Sequence, residues 1–284
     1  MDVKQITVVG AGAKGSGIAQ VAACSGFQVV LVDMTQEILD RGLAQIRNGI
    51  ERGVTSGKVA QKVGEEALSR LSVQTSLREA CRTADFVIES VPENLELKKR
   101  VFADLDRVSP PAAILASNTS QLSVTAMASA TGRPGQVIGM HWFNPAPLMR
   151  LIEIATTANT SDETLATTRA VAERVGKTVV VCRDTQGFVT SRALGAHLLE
   201  CMRILEEGVA SAQEIDTAIK LGLGYPMGPF ELSDNVGLDV IYHSALDLTA
   251  AYGDRFRPPQ VLVKLLEAGQ LGVKSGRGFY PHGT

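Results

Sequence analysis

The chain predicts an α/β domain over residues 1–186, followed by an all-α domain over 187–284. Two observations predict this. Residues 6–182 alternate short apolar, β-branched runs with helix-spaced segments, the pattern of βαβ units around a parallel sheet. After Asp184-Thr-Gln-Gly187 the strand signals stop and helical periodicity takes over.

The elements follow in order. Ile6–Val9 is an apolar run that opens into Gly10-Ala-Gly-Ala-Lys-Gly15, and the small and apolar residues of Ser16–Ser25 suit a helix. Gln28–Val32 reads as a second strand, and residues 36–52 place Ile38, Leu39, Leu43, Ile46 and Ile50 at helical spacing. Phe86–Val91, Ala113–Ala116 and Val137–Phe143 are further buried strands. Arg150–Thr156 and Thr178–Cys182 are two more, around a helix at about 162–176. In the second domain Ser191–Glu207 is one helix, and Ser211-Ala-Gln-Glu214 has capping-box spacing. Pro226, Gly228 and Pro229 break the pattern before a single helical stretch at 229–252 and a last one at 258–268.

Composition narrows the class of function. The balance of 28 basic against 30 acidic residues gives a net charge of −2, without the basic bias that nucleic acid or an anionic membrane surface requires. No apolar run is long enough to span a bilayer, and no secretory signal is visible, so the expected address is the cytoplasm. The four cysteines, Cys24, Cys81, Cys182 and Cys201, have no metal-ligand spacing and fit a reducing compartment.

Gly10-x-Gly12-x-x-Gly15 follows a strand and opens a helix, and Asp33 ends the next strand, 21 residues after Gly12. That context predicts a Rossmann-type dinucleotide-binding domain. Glycines let the backbone approach a pyrophosphate, which sits on the positive helix N-terminus. Asp33 accepts from ribose hydroxyls and repels a 2′-phosphate, and no basic residue follows in Met34-Thr35, so NAD is expected over NADP.

His141 ends an apolar strand in Val-Ile-Gly-Met-His141-Trp-Phe-Asn144-Pro, and Glu153 lies twelve residues on in Leu-Ile-Glu-Ile-Ala. A carboxylate in such a strand is costly to bury unpaired, and an imidazole partner relieves the cost. The pair then reads as general base and orienter. A structural histidine with a water-facing glutamate is the competing reading of the same spacing. Ser120, in Ala-Ser-Asn-Thr-Ser120, either bonds a substrate oxygen or caps the helix that follows, and spacing favours the cap. His197 reads as a packed helix residue, His243 lacks an acidic partner, and His282 sits where chains fray.

These motifs resemble the short 3-hydroxyacyl-CoA dehydrogenases, including bacterial 3-hydroxybutyryl-CoA dehydrogenases, essentially end to end. Gly224-Tyr-Pro-Met-Gly-Pro-Phe-Glu-Leu232, Val-Pro-Glu93-Asn-Leu and Lys274-Ser-Gly-Arg-Gly-Phe-Tyr280 carry the likeness further. The resemblance implies NAD-dependent interconversion of an L-3-hydroxyacyl-CoA and its 3-ketoacyl-CoA, by a homodimer joined through the C-terminal domain. It implies His141 as the catalytic base with Glu153 as its partner, Ser120 as a hydroxyl at substrate and cofactor, and Asn144 as an active-site amide. Glu93, Lys98 and Lys274 match residues that line the cofactor.

Three departures stand out. Ser191 occupies the position of a substrate-side asparagine. Lys14 replaces the usual methionine of the glycine loop and reads as a solvated lysine. The region expected to meet the CoA phosphates keeps few cations, Arg52 and Lys58 among them. A dehydrogenase of free 3-hydroxy acids, of gulonate or carnitine type, and a non-catalytic NAD-binding protein are the alternatives.

Overall fold

Each apolar run of the first half is a strand of one eight-stranded sheet. The computed structural model describes residues 1–283 and divides after Phe188. In chain order the first unit contains β1 (Gln5–Val9), α1 (Ala13–Cys24), β2 (Gln28–Val32), α2 (Gln36–Thr55) and α3 (Gln61–Ser69). Next come β3 (Leu71–Gln74), α4 (Leu77–Cys81), β4 (Phe86–Glu89), α5 (Leu95–Val108), β5 (Ile114–Ser117) and α6 (Val124–Ala128). β6 (Val137–Trp142), β7 (Leu151–Thr156), α7 (Asp162–Arg174) and β8 (Thr178–Arg183) complete it.

The strand order is β3-β2-β1-β4-β5-β6-β7-β8, with β1 to β6 parallel. The expectation of a parallel sheet fails at one edge. β7 runs antiparallel to β6, and β8 runs parallel to β7. Strand alternation sends side chains to both faces, and both faces are covered. Ile6, Val8, Phe86 and Ile88 join Phe27, Leu39, Ile46 and Trp142 in one core. Val9 and Val87 join Phe102, Leu105, Met127 and Phe188 in the other. Each such side chain contributes roughly 1.5–3 kcal/mol when fully buried.

The second unit is helical: α8 (Thr190–Glu206), α9 (Ala212–Leu223), α10 (Pro229–Val236), α11 (Leu238–Tyr252) and α12 (Gln260–Glu267). Its core gathers Leu198, Leu199, Met202, Phe230, Leu238, Leu248 and Leu262. The Ser211–Glu214 capping box forms as expected. The single helix expected over 229–252 is two, because Gly237 stands between them at φ 100°.

The two units meet at Phe188 and Val189, beside the expected boundary at 186, and Gly187 and Phe188 are buried. One further correction concerns the end of the chain. His282 does not lie in a frayed end. Its Nε2 is 2.8 Å from the fully buried Asp234 carboxylate, which also accepts from the amides of Phe279 and Tyr280. Among the described residues no helix is long and apolar enough to cross a membrane.

Candidate active site

The glycine loop, Asp33, Glu93, Ser120 and His141 lie at or just beyond the carboxyl ends of β1, β2, β4, β5 and β6, where ligands bind in sheets of this kind; Arg52 and Lys58 do not, since they lie at the far end of α2 and beyond it. Chain order explains the gathering. Parallel strands point the same way, so the residue after each strand arrives at the same edge.

The cofactor end is shaped by absent side chains. A Cβ on Gly15 would overlap the Gly10 carbonyl oxygen, and one on Gly10 would strike the backbone of Ser90. Gly12 caps α1 without a side chain and has open space where its Cβ would be. The first-turn amides of α1 are therefore open to an anion, with the helix dipole behind them. Asp33 stands beside them, its carboxylate fixed by the amides of Ala11 and Met34, each at 2.7 Å. These residues fit the pyrophosphate and adenosine ribose of NAD. Lys14 departs from expectation. It is half-buried rather than freely solvated, and burial pulls its ammonium below the ordinary lysine range, with the Glu93 carboxylate opposing and Lys98 adding to the fall.

Below the loop lies a ladder of charges. Glu89, the last residue of β4, is fully buried and accepts from Lys98 Nζ at 2.6 Å, Val91 N at 2.7 Å and Ser117 Oγ at 2.7 Å. Lys98 is itself 1% exposed and lies 3.4 Å from Glu93. Its ammonium thus sits beneath Glu93 and acts on the surface above through it. Glu93 accepts from Thr119 Oγ1 at 2.6 Å and from the amide and hydroxyl of Ser120 at 3.0 and 3.3 Å. Burial raises its carboxyl, but Lys98 and these bonds outweigh burial and hold it below the usual carboxylate range. The helix-cap reading of Ser120 fails, because Ser123 is the residue that caps α6. Ser120 is left half-buried at the strand end, held by Glu93.

The acid–base pair comes from the antiparallel edge. His141 and Glu153 are register partners on β6 and β7, so both side chains emerge on the same face. His141 Nδ1 lies 2.9 Å from Glu153 Oε2, with the imidazole 5% and the carboxylate 0% exposed. A carboxylate can only accept, so Nδ1 carries the proton and Nε2 is the basic nitrogen. Asn118 ties this region together: its Oδ1 accepts from Trp142 N at 2.8 Å and its Nδ2 donates to Ser90 Oγ at 3.0 Å.

Asn144 is exposed in the loop between β6 and β7. Buried Lys177 holds that loop by donating to the carbonyls of Ala146 and Met149 at 2.7 and 2.6 Å. Arg52 and Lys58 are exposed at the end of α2 and just beyond it. Ser191 and Lys274 belong to the second unit. Ser191 is half-buried in the first turn of α8, and Lys274 donates to both oxygens of Asp239. His197 packs against Tyr225, with ring centroids 5.2 Å apart, as a packed helix residue should. Sequence reasoning missed Glu89, Asn118, Lys177 and Phe188. Glu89 ends Phe-Val-Ile-Glu, the same acid-in-apolar-strand signal that singled out Glu153.

A doubly wound sheet with an open glycine loop, an acid closing β2 and a buried His–Glu pair defines a nicotinamide-nucleotide dehydrogenase. The chain belongs to the 3-hydroxyacyl-CoA dehydrogenase family: the family's NAD-binding domain matches residues 5–185 and its C-terminal domain residues 187–282. It is 40% identical to the 3-hydroxybutyryl-CoA dehydrogenase of Mycobacterium tuberculosis, over 99% of both chains. It is 42% identical to the mitochondrial hydroxyacyl-coenzyme A dehydrogenase of Homo sapiens, over 99% of this chain and 91% of that one. The crystal structure of (S)-3-hydroxybutyryl-CoA dehydrogenase from Ralstonia eutropha superposes with a TM-score of 0.97, at 36% identity and with both chains fully covered.

Proposed function

We propose that the protein interconverts short-chain L-3-hydroxyacyl-CoA thioesters, such as 3-hydroxybutyryl-CoA, and their 3-ketoacyl-CoA counterparts. The observation that carries this reading is the buried His141–Glu153 pair at 2.9 Å, in a chain of this family. NAD, when bound, supplies the acceptor for the hydride of the carbinol carbon. Gly10, Gly12 and Gly15 with Asp33 would hold it, with Ser120, Asn144 and Glu93 beside it and buried Lys98 acting through Glu93; for Lys274 the support is the family resemblance alone.

His141 Nε2 removes the hydroxyl proton as the carbonyl forms. The Nδ1 proton stays on the bond to Glu153, whose carboxylate stabilises the imidazolium that results. In the reverse direction the imidazolium returns the proton to the ketone oxygen. A positioned base of this kind contributes roughly 10²–10⁴-fold. Ser120 and Asn144 offer hydrogen bonds to the reacting oxygen. Ser191, at the position of the family's substrate-side asparagine, brings one hydroxyl where an amide would give two points of contact. Arg52 and Lys58 steer the CoA phosphates, since a net charge of −2 leaves attraction to local cations.

Two further readings belong to this proposal. The protein works as a homodimer through its C-terminal domain, where Leu221, Leu223, Tyr225, Met227 and Val240 expose apolar surface that a second copy would cover. It works in the cytoplasm, in keeping with four unpaired cysteines.

The test follows NADH absorbance with acetoacetyl-CoA, for the native protein and His141→Gln. Turnover should be readily measured in the first and fall by about 10³-fold in the second. Undiminished turnover in His141→Gln would remove the base assignment. Turnover on free 3-hydroxy acids but not on CoA thioesters would overturn the substrate class.

A further inference from the structure

Among the described residues, only one non-glycine residue has a positive φ: Phe188, at 44°. Gly187 precedes it at φ 74°. Left-handed backbone is costly for a bulky side chain, and such strain persists only where the surroundings enforce it. A turn alone does not require a phenylalanine here, because glycine would take this conformation freely.

What the strain preserves is the position of the ring. Phe188 is 4% exposed, and its amide donates to the Thr185 carbonyl at 3.0 Å. Its ring centroid lies 6.0 Å from that of His141, tilted by 51°. Phe143 approaches the same imidazole at 4.4 Å, tilted by 47°. Both distances suit tilted aromatic contacts.

The bond from Nδ1 to Glu153 and the covalent link at Cγ restrain the imidazole, and only small coupled swings about χ1 and χ2 that keep this bond remain open to it. A swing moves Nε2, the atom that must meet the substrate hydroxyl. We propose that Phe188 is a positioning residue: with Phe143 it fixes the plane of His141, and the strained backbone at 187–188 holds the aromatic ring where it can do so. The proposal rests on His141 as the base and assigns it a second orienting contact.

Three variants test it. Phe188→Leu keeps apolar bulk but loses the flat ring, Phe188→Gly loses ring and strain together, and Phe188→Tyr restores the ring. For Phe188→Leu, kcat in the acetoacetyl-CoA assay should fall on the order of tenfold, the scale of a slightly misplaced catalytic group. KM for both substrates should stay within about twofold, because binding surfaces are untouched. Phe188→Gly should lose kcat at least as far, and Phe188→Tyr should recover most of it. Each variant is measured well below its own melting temperature, so loss of fold does not enter. Native kcat in Phe188→Leu would overturn the proposal and make the ring mere core filling. So would a loss carried by KM, or one that Phe188→Tyr shares in full. His141→Gln runs in the same assay. If it keeps native turnover, the base assignment fails. If it is inactive while Phe188→Leu is native, only the present inference fails.

Discussion

Two carboxylates in this protein are entirely buried in strands of one sheet, and their partners give them different work. Glu89 on β4 faces the Lys98 ammonium at 2.6 Å, and Glu153 on β7 faces the His141 imidazole at 2.9 Å. The Lys98 ammonium can only donate, and with Glu89 it forms a strut between β4 and α5. The imidazole has a second nitrogen beyond its bond to Glu153, so the second pair can take a proton from a ligand and give it back. A buried carboxylate therefore signals a polar partner; the kind of partner decides between scaffold and chemistry.

Exchanging each acid for its amide should separate the two roles. Glu153→Gln keeps the shape and a bond to Nδ1 but loses the charge that stabilises imidazolium, so kcat should fall by about 10³-fold with the melting temperature nearly unchanged. Glu89→Gln removes the nearest carboxylate from the Lys98 ammonium and leaves it the Glu93 carboxylate at 3.4 Å and the Val91 carbonyl at 3.2 Å. Chemical denaturation should show a loss of about 3–5 kcal/mol, while kcat of the folded fraction stays within a few-fold of native. If the two variants exchanged these signatures, the comparison would fail.

Lys177 is a third, intermediate case, a buried ammonium held by backbone carbonyls. Burial pulls its ammonium below the ordinary lysine range. Lys177→Met leaves two carbonyls without their donor and should lose about 1–3 kcal/mol in a urea titration.

The last effect concerns thiols, acids that burial favours in the protonated form. Burial pushes the thiol of Cys81 up to about 12 and those of Cys182 and Cys201 up to about 11, from an ordinary value of 9. Between pH 9 and 11 the unfolded chain has released these protons and the folded chain has not, so stability falls as pH rises through that window. The melting temperature should drop by a few degrees from pH 8.5 to 10.5, and replacing the three cysteines by alanine should flatten that slope.

Much of this was legible in the sequence where chemistry is local. The glycine loop between β1 and α1, the apolar runs as strands and the Ser211–Glu214 box depend on near neighbours, and these elements form where they are expected to within a few residues. The spacing of His141 and Glu153 leaves a structural histidine open, and the family resemblance is what favours the pair. Glu89 carries the same signal of an acid in an apolar strand, but its partner Lys98 lies nine residues on, in a helix whose buried face gives no sign of an ion pair. β3 escaped because Leu71-Ser-Val-Gln74 is short and half-exposed. The cap reading of Ser120 and the frayed end at His282 fail because their partners, Glu93 and Asp234, lie 27 and 48 residues away in sequence. The reversal of β7 has no local signature at all.

That reversal determines how this enzyme's surface can be remodelled. Because β6 and β7 form an antiparallel pair, the segment between Trp142 and Leu151 is a single crossing over the strand ends, and the phase of the strands alone sets His141 opposite Glu153. Grafting a longer or shorter crossing should change which substrates fit while the proton-transfer pair stays in step. One residue added inside either strand would put the acid out of phase, turning its side chain to the opposite face of the sheet.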